Sequence, residues 1–377
     1  LMLLISIRIV KHKITGFKKV LETKNRKTFG DIYFIISIIG LWIVSSEDKV
    51  MYALPLIILM FSDAFAALIG EFYSKYKFNT GFGTKSIEGS VTFFLTTYFI
   101  CINFFLFFSD IGSINIVLVS LLLSILTMIL EVISWNGLDN LFVPFFVYLF
   151  LRLNLYLTAR ELMYKLWVII VLFAIIILNR KKTTLTRVAQ TASLFFLYIV
   201  MIIGGIKWLI PPLLMYLGYY HFTPKVKGQV KDSLKGLLAI AFTTAMWLAM
   251  SIILDKNKMY LIYIFAFSLH FGIINLIRDN AGNIKRETFR MNFLMGSIGK
   301  AFAFFIINYL ILSRIWDFKM LIGIIIFIFG GIFIYETSMK FFYIIEKEKE
   351  LSGESKVFIA SGIVFICSML LLGIGML

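Results

Sequence analysis

Predominantly apolar runs of about 17 to 23 residues recur along the whole of this chain, separated by short charged segments. A run of that length crosses a bilayer as a helix, since only a helix or a closed barrel satisfies every backbone N–H and C=O in hydrocarbon. Barrel strands would alternate apolar with polar residues, and these runs do not alternate. The chain is therefore expected to be all-α, a polytopic transmembrane helical bundle of about twelve or thirteen spanning helices. Of its 377 residues 60% are hydrophobic and 15% charged, far from the balance of a soluble domain. The formal charge of +16 comes from Lys and Arg in the loops rather than from an aromatic-interleaved surface, which argues for membrane topology and against a nucleic-acid partner. Cys101 and Cys367 lie in different apolar runs, so neither a disulfide framework nor a zinc site is implied. The opening "LMLLISIRIV" is too short for a signal peptide and has no cleavage site, and the expectation is that residues are missing upstream of it.

Positive charge orients the spans, because Lys and Arg in short loops favour the cytoplasm. Arg8, Lys11, Lys13, Lys18, Lys19, Lys24, Arg26 and Lys27 place the first stretch inside. A span near 31–46 leads out to "SSEDK", and one near 51–72 returns to a polar segment, 73–90, bearing Lys75, Lys77 and Lys85. Spans near 91–109 and 114–134 bring "EVISWNGLDN" to that same side. Spans near 141–158 and 162–178 then form a hairpin ending at the basic "NRKKTTLTR", which separates a domain 1–178 from a domain 188–377. The second domain begins with an apolar hairpin near 190–220, interrupted by Gly204, Gly205, Pro211 and Pro212. Spans near 236–254, 260–277, 293–312, 319–341 and 357–376 follow. The expected location is the cell's inner, cytoplasmic membrane, with the two polar segments facing the cytoplasm.

A carboxylate in the middle of a spanning helix costs roughly 2.5 to 3.5 kcal/mol on insertion scales unless it is paired or hydrated. Asp63, in "LMFSDAFAALIGEFY", is such a residue. Ala66, Ala67 and Gly70 follow at the next helical turns and let another helix or a ligand approach. One reading gives Asp63 a hydrogen bond to a neighbouring helix; the other makes it a cation ligand or a participant in catalysis. The polar segment downstream, "GFGTKSIEGS", offers Gly81 and Gly83 for close backbone approach, Lys85 as a point charge for phosphate, and the hydroxyls of Thr84 and Ser86. They stand where a new helix begins, and its first N–H groups form an anion site if left free. The segment is not a Walker A loop. Glu88, three residues after Lys85, has the spacing of an intrahelical ion pair with it.

In "LEVISWNGLDNLFVP", Glu131 ends a helix, Asn136 and Gly137 read as a turn, and Asp139 and Asn140 precede the next span. The topology brings Glu131 and Asp139 to the face that carries Lys85. Carboxylates, a lysine and a glycine-rich turn on one face point to a site for a metal–nucleotide complex. His221 and His270 stand apart and read as interfacial or helix-packing residues.

"SDAFAALIGEFYSKYKF", "GTKSIEGS" and "EVISWNGLDNLFVP" together resemble the CTP-dependent lipid-alcohol kinases, namely dolichol kinase, phytol kinase and the yeast-type diacylglycerol kinase, distant relatives of the phosphatidate cytidylyltransferases. The resemblance covers residues 25 to 178, with "NRKTFGDIYF" as its lead-in; the family's upstream Arg-Lys-x-x-His element has no counterpart, and His12 does not fit it. It implies transfer of the terminal phosphate of CTP to a membrane-embedded hydroxyl with Mg2+, and carries over Asp63, Lys85, Glu88, Gly89, Glu131, Asp139 and Asn140. On this expectation Asp63, Glu131 and Asp139 serve metal and proton. Lys85, with Gly81, Gly83, Thr84, Ser86, Glu88, Gly89 and Asn140, binds nucleotide. Phytol, farnesol, a polyprenol and diacylglycerol are the candidate acceptors. A CDP-lipid-forming cytidylyltransferase and a transporter that uses Asp63 as an ion site are the alternatives. The second half is expected to be a helical accessory domain.

Overall fold

The computed structural model describes residues 29–45, 48–80, 83–180, 183, 185–221, 234–254, 256–280, 287–312, 318–345 and 351–373. Among them are thirteen helices and one two-stranded ribbon. The first six helices are α1 (Gly30–Val44), α2 (Lys49–Phe72), α3 (Ile87–Phe108), α4 (Ser113–Ile133), α5 (Asp139–Asn154) and α6 (Ala159–Asn179). The other seven are α7 (Arg187–Gly204), α8 (Ile206–His221), α9 (Leu234–Met250), α10 (Lys256–Asn280), α11 (Glu287–Leu312), α12 (Phe318–Ile345) and α13 (Gly353–Gly373). Between α2 and α3 lie β1 (Lys77–Asn79) and β2 (Thr84–Ser86), paired antiparallel with Phe78 opposite Lys85. The ribbon is the departure from an all-helical reading. Of the basic stretches that oriented the spans, the one from Arg8 to Lys27 lies outside the described residues, as do Lys181 and Lys182 of "NRKKTTLTR", whereas Lys75, Lys77 and Lys85 are described.

Nine of these helices are long and apolar enough to cross a membrane, which makes this a multi-pass membrane protein. The remaining four, α1, α5, α8 and α9, have 15 to 17 residues. At about 1.5 Å per residue they reach about 22 to 26 Å, short of a hydrocarbon core of about 30 Å. Two compact units, Leu1–Val171 and Leu172–Leu377, make up the chain. Their division falls inside α6, ahead of the basic segment that ends that helix.

In the first unit α2, α3 and α6 start at side-chain caps, whereas α1, α4 and α5 have none. Asp48 accepts the N–H groups of Val50 at 2.9 Å and Met51 at 3.1 Å and opens α2. Thr158 and Glu161 form a reciprocal capping box ahead of α6. The helices then pack through small and hydroxylated residues, because lipid gives apolar faces no reason to seek each other. Gly70 and Gly89 bring α2 and α3 together: a Cβ on Gly89 would lie 3.0 Å from the carbonyl oxygen of Ala66. Lower on the same pair, Thr97 donates to Ser62 at 2.9 Å, both fully buried. α5 packs against α1, α2 and α4. Ser37 of α1 donates to the backbone carbonyl of Asn140 at 2.6 Å, and Tyr148 to that of Val44 at 2.7 Å.

The second unit is built around α10, which packs against α8, α9, α11, α12 and α13 and buries most of its side chains. The hairpin expected over 190–220 breaks at Gly205, whose φ of 78° is open to glycine, and the two prolines lie inside α8 instead. Pro211 and Pro212 have no N–H for the carbonyls of Lys207 and Trp208 one turn earlier. Two tyrosines of α10 supply the missing donors: Tyr260 Oη bonds the Lys207 carbonyl at 3.2 Å and Tyr263 Oη that of Trp208 at 3.0 Å. His270 is fully buried with Nε2 2.9 Å from Thr243 Oγ1 on α9, in keeping with a helix-packing histidine.

Candidate metal and phosphate site

Asp63 lies nine residues before the last residue of α2, Phe72. Glu131 is two residues from the end of α4, and Asp139 is the first residue of α5. The turn between them is tight because Asn136 and Gly137 adopt positive φ, 52° and 83°, and a Cβ on Gly137 would lie 2.6 Å from the Cα of Gly30. This turn reverses α4 into α5 and brings the three acids together. One carboxylate oxygen from each of Asp63, Glu131 and Asp139 lies within 4.8 Å of the others, each side chain only partly shielded from solvent. Asp139 also sits at the N-terminal, positive end of the α5 dipole.

Lys85 reaches this cluster from the ribbon. Its Nζ is 2.7 Å from Glu131 Oε1 and also donates to the backbone carbonyl of Glu131. Lys85 is the middle residue of β2, so its side chain leaves the ribbon on the face opposite those of Thr84 and Ser86. The ion pair with Glu88 that the spacing would allow does not form, and Glu88 does not turn to the acids. Glu88 instead accepts the backbone N–H groups of Lys75 at 3.0 Å and Tyr76 at 3.1 Å, tying the entry of the ribbon to the first turn of α3.

The other residues expected at the nucleotide divide by position. Ser86 is buried and caps α3 by accepting the Gly89 N–H at 3.1 Å, while the Ile87 N–H goes to the Tyr76 carbonyl at 3.0 Å. Those N–H groups are therefore not open to an anion. Gly89 is buried against α2 and serves helix packing. Asn140 turns from the acids and donates to the Gly30 carbonyl at 3.1 Å. Thr84 is exposed on the ribbon, and the Gly83 carbonyl accepts both donors of Thr80, the N–H at 2.8 Å and the hydroxyl at 3.0 Å. Gly81 lies outside the described residues. What converges is the set Asp63, Lys85, Glu131 and Asp139.

That set fits a divalent cation. Two carboxylates 4.8 Å apart repel by about 3.5 kcal/mol at an effective dielectric of about 20, and three of them face one ammonium. Oxygens on opposite sides of Mg2+ are about 4.2 Å apart, so small side-chain rotations close the trio onto an ion. Sequence reasoning missed the buried Ser62–Thr97 bond beside Asp63 and the clamp by Glu88. The first had no spacing signal, whereas Ser86 followed by an acidic first turn is a readable helix start. Comparison of the chain with protein-family models, with curated proteins and with solved structures finds no match.

Proposed function

We propose that this protein is a kinase that moves the terminal phosphate of CTP onto a membrane lipid alcohol, such as phytol, farnesol, a polyprenol or diacylglycerol, at the cytoplasmic face of the inner membrane. The observation that carries the reading is the meeting of three carboxylates and a lysine at one end of apolar helices. α4 and α5 stop at the level of the acids, while α2 continues nine residues, about 13 Å, beyond Asp63. Phe72, Tyr73 and Tyr76 are exposed at that end, as befits the aromatic belt of a membrane interface. The site would therefore lie below the water boundary, within reach of a hydroxyl attached directly to a hydrocarbon chain. The choice of CTP and the cytoplasmic orientation rest on the resemblance and on the loop charges.

In this reading the trio Asp63, Glu131 and Asp139 would supply both the carboxylates that hold Mg2+ and the one that takes up the proton, and the ion supplies charge neutralisation at the phosphate oxygens when bound. Lys85 binds a phosphate oxygen as a point charge. One of the acids accepts the proton of the alcohol as its oxygen attacks the terminal phosphorus. The bond from that phosphorus to the bridging oxygen breaks, and CDP leaves with the electron pair. Phosphoryl transfer of this kind depends on positioning and charge more than on covalent help from the protein, which suits a site of four charged side chains.

Membranes containing the protein, incubated with γ-labelled CTP and a panel of phytol, farnesol, undecaprenol and diacylglycerol, should yield one labelled lipid phosphate. Label in no lipid refutes the proposal, and transfer from α-labelled CTP assigns cytidylyl transfer instead.

A further inference from the structure

Among the described residues, the ammonium of Lys85 bonds to one residue, Glu131, through the carboxylate and through the main-chain carbonyl. Its ammonium therefore already occupies one member of the trio that the reading above assigns to a metal. The segment behind it is anchored independently, by Glu88 to the N–H groups of Lys75 and Tyr76, by the Ile87–Tyr76 bond and by the Ser86 cap. The mobile element is thus the four-carbon stem of Lys85 rather than the ribbon. Its departure does not orphan the carbonyl of Glu131, which also accepts the Ser134 N–H at 3.2 Å. With side-chain exposures of 22% for Lys85 and 12% for Glu131, the pair is open enough to solvent to exchange.

We infer that Lys85 is a built-in counter-ion, which a divalent cation displaces from Glu131 so that metal loading releases the ammonium toward the phosphates. The inference rests on the metal-site reading of Asp63, Glu131 and Asp139. Metal and Lys85 then compete for one carboxylate, and Lys85 is a positioning residue as well as a phosphate ligand. Without metal the trio keeps a partial charge balance; with metal, the lysine is free only when a cation is present to hold the nucleotide. A lysine that stayed on Glu131 with the metal bound would become no more reactive on metal loading.

The test is a titration of the purified full chain in nanodiscs with Mn2+ and no nucleotide, read by the loss of the free-ion electron paramagnetic resonance signal. Lys85→Met should bind Mn2+ about tenfold more tightly than the unaltered protein, and Lys85→Arg should not. Asp63→Asn should weaken binding. Weakening by Asp63→Asn with no gain from Lys85→Met overturns the inference and leaves the metal site standing. Mn2+ binding that Asp63→Asn does not affect, or no binding at all, overturns the metal reading and the inference together. A second measurement needs no variant: Mn2+ should raise acetylation of Lys85 in the unaltered protein several-fold by mass spectrometry, and an unchanged yield counts against the displacement.

Discussion

Replacing Tyr263 by Phe removes one oxygen from the core of the second unit, and the structure predicts both its cost and the way to cancel it. Tyr263 is fully buried and its hydroxyl is 3.0 Å from the carbonyl of Trp208. In an unbroken helix that carbonyl would be served by the N–H of residue 212, and residue 212 is proline. Tyr263→Phe leaves a buried acceptor without its donor, a cost of about 1 to 3 kcal/mol. Pro212→Ala restores an N–H at the right place, so in that background Tyr263→Phe should cost less than about 1 kcal/mol. The two substitutions should therefore couple by about 1 kcal/mol or more in a double-mutant cycle, read from denaturant-induced unfolding of the detergent-solubilised protein. Tyr260→Phe is the internal control: its bond to Lys207 is 3.2 Å long and exposed, so water replaces it at little cost. Equal costs of Tyr263→Phe in the unaltered chain and in the Pro212→Ala background would refute the argument that the tyrosine stands in for the missing N–H.

Gly137→Ala should destabilise the first unit by about 2 kcal/mol or more in the same assay, because the new methyl meets Gly30 and the residue keeps φ of 83°; an unchanged midpoint would count against that turn. Gly89→Ala should shift the midpoint down by about 1 to 3 kcal/mol by forcing α2 from α3, and no shift would show that the pair is not packed so closely. Glu88→Gln should speed hydrogen exchange at the amides of Lys75 and Tyr76 without altering the helices, since a neutral acceptor holds both N–H groups less firmly; exchange at the original rate would remove Glu88 as the clamp. If the phosphotransferase proposed above is correct, Asp63→Asn should lower lipid phosphorylation by about a hundredfold or more while the protein melts normally, and retained activity would take Asp63 out of the site.

The helices were legible because their signal is length. A run of apolar residues that spans a bilayer leaves a period-free mark, and the spans read near 51–72, 114–134 and 319–341 meet α2, α4 and α12 within a few residues at each end. The ribbon was not legible: strands of three residues, Lys77–Asn79 and Thr84–Ser86, carry too few positions for an alternation to show. Of the site, the charged residues stood out because charge is rare in hydrocarbon, which is why Asp63, Lys85, Glu131 and Asp139 were found together. The direction of each side chain was less accessible. Glu88 is three residues from Lys85, as an intrahelical pair requires, yet Lys85 precedes α3 in an extended strand, and helical spacing does not apply across that boundary. Asn140 follows Asp139 directly, and one residue of helix turns its side chain by about 100° onto α1 instead of the acids.

The nine residues that α2 extends past Asp63 bear on how a reaction at this depth would finish. A neutral alcohol arrives by dissolving, whereas its phosphate ester carries at least one full charge and is insoluble where it was made. Under the proposed chemistry, the change of solubility would itself eject the product outward along α2, past Phe72 and Tyr73, toward water. Turnover would then be one-way in space as well as in chemistry. The bulk of the hydrocarbon tail would influence how fast the site is filled more than how fast it is cleared.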